Sequence, residues 1–122
     1  MKKIDKNPNN FRIKRKFSAY THSAHKLSPF AMERIGRWME MGSRKYEPNN
    51  WQKGMKYSRV VASICRHLMM YLQNDRQEDH LAALAVNVSF LMHYDIMIER
   101  GVLPQSLDDL PKYQPTTEGA EP

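Results

Sequence analysis

The sequence predicts an all-α protein: a small bundle of three long helices plus a short C-terminal helix, with a basic N-terminal arm and a flexible C-terminal tail. Two observations carry this fold class. Apolar residues recur at helical spacing over three stretches, beginning near Pro29, Ser58 and Asp79. Helix-start residues stand before the first and third, and Gly101 follows the last. With 122 residues, 41% of them hydrophobic, the chain has apolar matter for one core, though so small a domain buries too little to be very stable alone. It divides into an arm over 1–27, a helical domain over 28–110 and a disordered tail over 111–122.

The arm has no clear periodicity and is read as irregular, with an extended segment around Phe11–Tyr20. Eight basic side chains and one acid give it +7, whereas the other 95 residues sum to −1. The formal charge of +6 therefore belongs to the arm, which weakens a reading of the folded part as a nucleic-acid-binding domain. At Ser28-Pro29 a good N-cap precedes a proline at the first helical position, where no hydrogen bond is lost. Phe30, Ala31, Ile35, Trp38, Met39 and Met41 then repeat to about Tyr46. Gly36 and Gly42 lower the propensity; they fit close packing against a helix or ligand, or a weak spot. Residues 47–57 read as a loop, with Pro48, Asn49, Asn50 and Gly54.

A second helix runs from near Ser58 to about Leu72, and Gln73–Glu78 makes the turn. The third begins near Asp79, an acid suited to a positive helix terminus, and ends at about Arg100 before Gly101. It is apolar around most of its circumference, so it needs cover on nearly all sides, and a homo-oligomer is expected. Residues 104–110 add the short helix.

Several classes drop out. One cysteine, Cys65, excludes an intramolecular disulfide framework and Cys-based zinc modules; its apolar helical setting suggests a buried thiol in a reducing compartment. No run reaches the ~18 consecutive apolar residues of a membrane span, so no membrane partner is expected. The basic N-terminus has no apolar stretch behind its charges and is no signal peptide, leaving the cytoplasm as the expected location. No P-loop, GxGxxG, HExxH, EF-hand or Ser-His-Asp signature is present.

On the third helix His80, Asn87 and Tyr94 stand seven apart and share a stripe, with small Ala83 leaving room for a ligand. On the second, Arg59, Ser63, Arg66 and Met70 share a face, with His67 one step round. Plainer readings exist for each. His80 suits a cap or packing role, Asn87 needs only a neighbouring partner, and Asp75, Glu78 and Asp79 suit a turn. Glu33, Arg37, Glu40 and Arg44 resemble a solvated, ion-paired face. Together, however, acids at 75–79, His67 and His80, and Lys45, Lys53, Arg59 and Arg66 suit a phosphate substrate. Carboxylates would hold Mg²⁺ or Mn²⁺, the cations would neutralise phosphate oxygens, and Trp51 would stack on a base.

The segments GSRKYEPNNWQKG (Gly42–Gly54), RHL (Arg66–Leu68) and HLA (His80–Ala82) resemble the phage-type dATP/dGTP diphosphohydrolase N-terminal domain family, distantly related to MazG-like all-α pyrophosphohydrolases. The resemblance covers about residues 28–100. It implies a helical bundle, a phage or prophage origin, and metal-dependent release of pyrophosphate from a purine deoxynucleoside triphosphate. On this reading His67, His80 and Asp75 are catalytic candidates. Lys45, Tyr46, Asn50, Trp51, Lys53, Arg59, Arg66 and Asn87 would bind substrate, and Glu40, Asp75, Glu78 and Asp79 the metal. Relatives carry a longer acidic loop than Asn74–Asp79, and a second histidine where this chain has Ala83. The rival expectation is a non-enzymatic oligomeric phage protein whose arm binds nucleic acid or an acidic host partner.

Overall fold

The computed structural model describes residues 19–113. Three α-helices dominate: α1 (Pro29–Lys45), α2 (Tyr57–Leu72) and α3 (His80–Glu99). Short 3-10 helices lie at Ala19–Lys26, Asn50–Lys53 and Gln105–Leu107, and no strand occurs among the described residues. Most of the sequence's expected extended segment and tail, residues 11–18 and 114–122, lies outside them. Ala19 and Tyr20 belong to the first 3-10 helix and are not extended. The short C-terminal helix expected over 104–110 is only the 3-10 turn Gln105–Leu107, which has no side-chain N-cap and closes with Asp108 N donating to the Gln105 carbonyl.

Local chemistry sets the ends of α1 and α3. Ser28 Oγ accepts from Ala31 N at 3.2 Å, and Asp79 Oδ1 accepts from Ala82 N at 3.1 Å, each relieving a first-turn amide. Gly101, at φ +76°, follows α3 in the left-handed conformation that glycine adopts freely. The α2 N-terminus is different. Lys56 supplies no side-chain cap, and Asp109, 51 residues away, takes over by accepting from Ser58 N at 2.8 Å and Ser58 Oγ at 2.6 Å.

Helix α2 runs antiparallel to α3, and the interface between them is a ladder of polar rungs. His67 meets His80, Ser63 meets Asn87, and Tyr57 meets Tyr94. The stripe at 80, 87 and 94 therefore faces α2, since seven residues are close to two helical turns. Val60 lies between the two lower rungs and is buried with Tyr57 and Tyr94. Tyr57 donates to Asp95 Oδ1 at 2.6 Å, and Tyr94 donates to the Trp51 carbonyl at 2.5 Å. Burial pushes the Tyr94 phenol up to about 12.

Around that core fold Met55, Ile64, Phe90 and Leu91, together with Leu103, Leu107 and Leu110 of a C-terminal strap. The strap crosses Gly54, which sits at φ +96°; a Cβ there would lie 2.6 Å from Leu107 Cδ1. By contrast, a Cβ at Gly36 or Gly42 would meet nothing within 4 Å, so neither serves close packing within the chain.

Helix α1 packs on α3 but contains no buried residue. Its charged series is a solvated face, with Arg37 on Glu33 at 3.0 Å and Arg44 near Glu40 at 3.9 Å. Among the described residues α3 is long and apolar enough to cross a membrane by length and composition alone. It is also the helix on which both others pack. Leu81, Val88 and Met92 nonetheless stay exposed on it. Cys65 is exposed as well, which corrects the expectation of a buried thiol: α2 turns that position away from α3.

Candidate functional site

The site forms where the α2–α3 connection closes. Asn74 takes a left-handed conformation, φ +65°, directly after α2. Asp75 N then returns to the Met70 carbonyl at 3.0 Å. Arg76 lies 4.2 Å from the Tyr71 ring centroid and donates to the carbonyls of Tyr71 and Asp75 at 3.1 and 3.0 Å. Asp75 Oδ1 accepts from Gln77 N at 2.9 Å, and that bond first of all holds its carboxyl below the usual carboxylate range. The six-residue acidic loop is thus tied to the last turn of α2 before α3 begins.

At the start of α3, His80 is buried against His67, with Nδ1 to Nδ1 at 2.9 Å and ring centroids 5.2 Å apart. The Trp38 ring of α1 meets His67 edge-on at 5.6 Å. Burial first, then the charge on Arg66, lowers the His67 pKa from its ordinary value. His80 Nε2 lies 3.4 Å from Asp75 Oδ2, within reach of an ion pair but out of line for a hydrogen bond. Beside these groups Arg34 clamps Asp79 through two bonds, Nε to Oδ2 at 2.8 Å and Nη2 to Oδ1 at 2.7 Å. That clamp holds the Asp79 carboxyl below its ordinary value and raises the Arg34 guanidinium.

A cleft of about 410 Å³ opens here, lined by Arg34, Tyr71, Arg76, Glu78, Asp79 and His80 among others. Two guanidiniums and a phenol share it with two acids, and the buried His80 ring lies in its wall. Such a cleft can hold a polar ligand, and the imidazole pair can take and pass a proton.

The residues singled out in the sequence fall into separate groups. His67, His80, Asp75 and Asp79 meet here, with Glu78 exposed on the cleft. Glu40 stays on the solvated face of α1 near Arg44. Trp51 belongs to the other end, stacked on Phe90 at 5.0 Å with His93 edge-on at 4.9 Å. Phe90 is ten residues beyond His80, roughly 15 Å along α3. Lys45, Tyr46 and Asn50 are exposed near that end, and Lys53 pairs with Glu47 at 3.3 Å. Arg59 and Arg66 are exposed on α2. Asn87 donates to the Ala83 carbonyl at 2.8 Å and reaches Ser63 Oγ at 3.4 Å. Ala83 leaves no room for a ligand, being 0% exposed beneath these contacts.

Carboxylates suited to Mg²⁺ do not converge. No group of three or more His, Cys, Asp and Glu side chains placed to hold a metal occurs among the described residues. Asp79 is spent on Arg34 and the α3 cap, and Glu40 lies outside the cleft. The described residues of one chain do not fit a carboxylate-held metal. Sequence reasoning missed Arg34, Trp38, Tyr71 and Arg76. Arg34 and Trp38 are one turn apart on α1, and that spacing is the signal that could have paired them.

Three helices, two of them joined by a polar ladder with a buried imidazole pair at one end, and no glycine-rich phosphate loop in the sequence, define an all-α domain of the helical kind that the three sequence segments imply. The family model for dATP/dGTP diphosphohydrolase, N-terminal, matches residues 12–101, and the chain belongs to that family. No curated protein and no solved structure matches it.

Proposed function

We propose that the chain hydrolyses purine deoxynucleoside triphosphates to the monophosphate and pyrophosphate. The observation that carries this reading is the family match over residues 12–101. A water attacks the α-phosphorus, the bond from that phosphorus to the oxygen bridging to the β-phosphate breaks, and pyrophosphate leaves with that oxygen. The water's proton passes to the imidazole pair, and basic side chains stabilise the leaving group. Arg34 and Arg76 are the cations that line the cleft.

Dependence on Mg²⁺ or Mn²⁺ comes from the resemblance alone, and no step is assigned to a metal. A homo-oligomer in the cytoplasm, without a membrane partner, is part of the same reading. The exposed stripe Leu81, Val88 and Met92 on α3, with Met69 and Leu72 on α2, supports self-association. The decisive experiment is pyrophosphate release from each dNTP, with Mg²⁺, with Mn²⁺ and with chelator. Turnover of dATP or dGTP is expected, with at least a tenfold loss in His67→Gln; no turnover of any nucleotide would sink the proposal.

A further inference from the structure

The two imidazoles meet through like atoms, and such a contact needs one proton. With His67 Nδ1 and His80 Nδ1 at 2.9 Å, one ring donates and the other accepts. Two protonated nitrogens would repel, and two bare ones would leave buried lone pairs unsatisfied. The choice is made on the far side of His80. Its Nε2 is shut off from solvent without a hydrogen-bond partner, 3.4 Å from Asp75 Oδ2. A carboxylate there favours a proton on Nε2, because a bare nitrogen would set its lone pair against a negative oxygen. A neutral His80 protonated on Nε2 has its lone pair on Nδ1. His67 must then donate from Nδ1, which leaves His67 Nε2 bare.

Asp75 is not free to turn away from this arrangement. Gln77 N holds its other oxygen, its own amide is tied to Met70, and Arg76 fixes the carbonyls on either side of the turn. Burial and Arg66 both oppose a charge on His67, in keeping with a neutral ring.

We propose that Asp75, acting through His80, fixes the tautomer of His67 and leaves His67 Nε2 as the proton-accepting atom of the pair. Asp75 and His80 are positioning residues, and His67 is the ring that takes the proton. The use of that acceptor rests on the hydrolase reading, whereas the order of protons does not.

The test is long-range ¹H–¹⁵N correlation on the full chain labelled with ¹⁵N-histidine at pH 8, with signals assigned by His67→Gln and His80→Gln. The expected wild-type result is a proton on Nδ1 of His67 and on Nε2 of His80. In Asp75→Ala the bias is lost and both proton orders contribute to the signals, while the helical circular dichroism is unchanged. A wild-type His67 carrying its proton on Nε2 overturns the proposal, as does an unchanged order in folded Asp75→Ala. If that variant does not fold, the wild-type spectrum decides alone. Absent turnover with the expected proton order sinks only the hydrolase reading, and turnover with the opposite order sinks only the relay.

Discussion

Asp79 performs two tasks with one carboxylate, capping α3 and receiving both arms of Arg34 from α1. Asp79→Ala should lower stability by about 1 kcal/mol from the cap alone, read by urea unfolding at pH 7. The pH dependence has a definite sign. The carboxyl is depressed in the folded state, first by Arg34, so its stabilisation is present above the unfolded value near about 4 and lost as pH falls through the lower folded value. Wild type and Asp79→Asn should therefore converge in urea midpoint as pH is lowered from 5 to 2; a constant gap would refute the assignment. The cap was legible from sequence because it acts over three residues. Arg34 was not, because its partner stands 45 residues away and no local spacing joins them.

The three helices differ in what closes their ends. Both α1 and α3 carry their own caps, whereas α2 borrows Asp109 from the strap. Asp109→Ala should speed amide hydrogen exchange at Ser58 and Arg59, leaving the last turn of α2 unchanged. Equal exchange in mutant and wild type would show that the cap is dispensable. The same contrast explains what could be read beforehand. Ser28-Pro29, Asp79 and Gly101 marked boundaries through near neighbours, and the sevenfold stripe on α3 was visible as periodicity. Its destination was not. A stripe of His80, Asn87 and Tyr94 is consistent with a ligand face or a helix seam, and only the presence of Ser63 and Tyr57 opposite makes it a seam. Trp51 was drawn into the core by Phe90 and by Tyr94 donating to its carbonyl, contacts of 39 and 43 residues in separation that no loop composition announces.

At the scale of the molecule, a three-helix layer leaves apolar side chains without cover: Phe30 is 78% exposed, Leu72 72% and Met92 60%. Sedimentation should show a dimer or larger species, and Leu72→Glu with Met92→Glu should shift it to the monomer while keeping helical content. A wild-type monomer at every concentration would remove oligomerisation from the proposed function. The asymmetry of charge belongs here too, since the near-neutral bundle keeps its cleft cations Arg34 and Arg76 bound to its own oxygens. Finally, Gly54 acts as a keyhole beneath the strap. One added methyl group there strains the backbone at φ +96° and collides with Leu107. Gly54→Ala is therefore a wedge driven under a latch, prising the strap, and with it Asp109, from α2. The expected product is a heat-sensitive form with a lowered Tm and exposed Tyr57, made without touching the imidazole pair at the opposite end of the ladder.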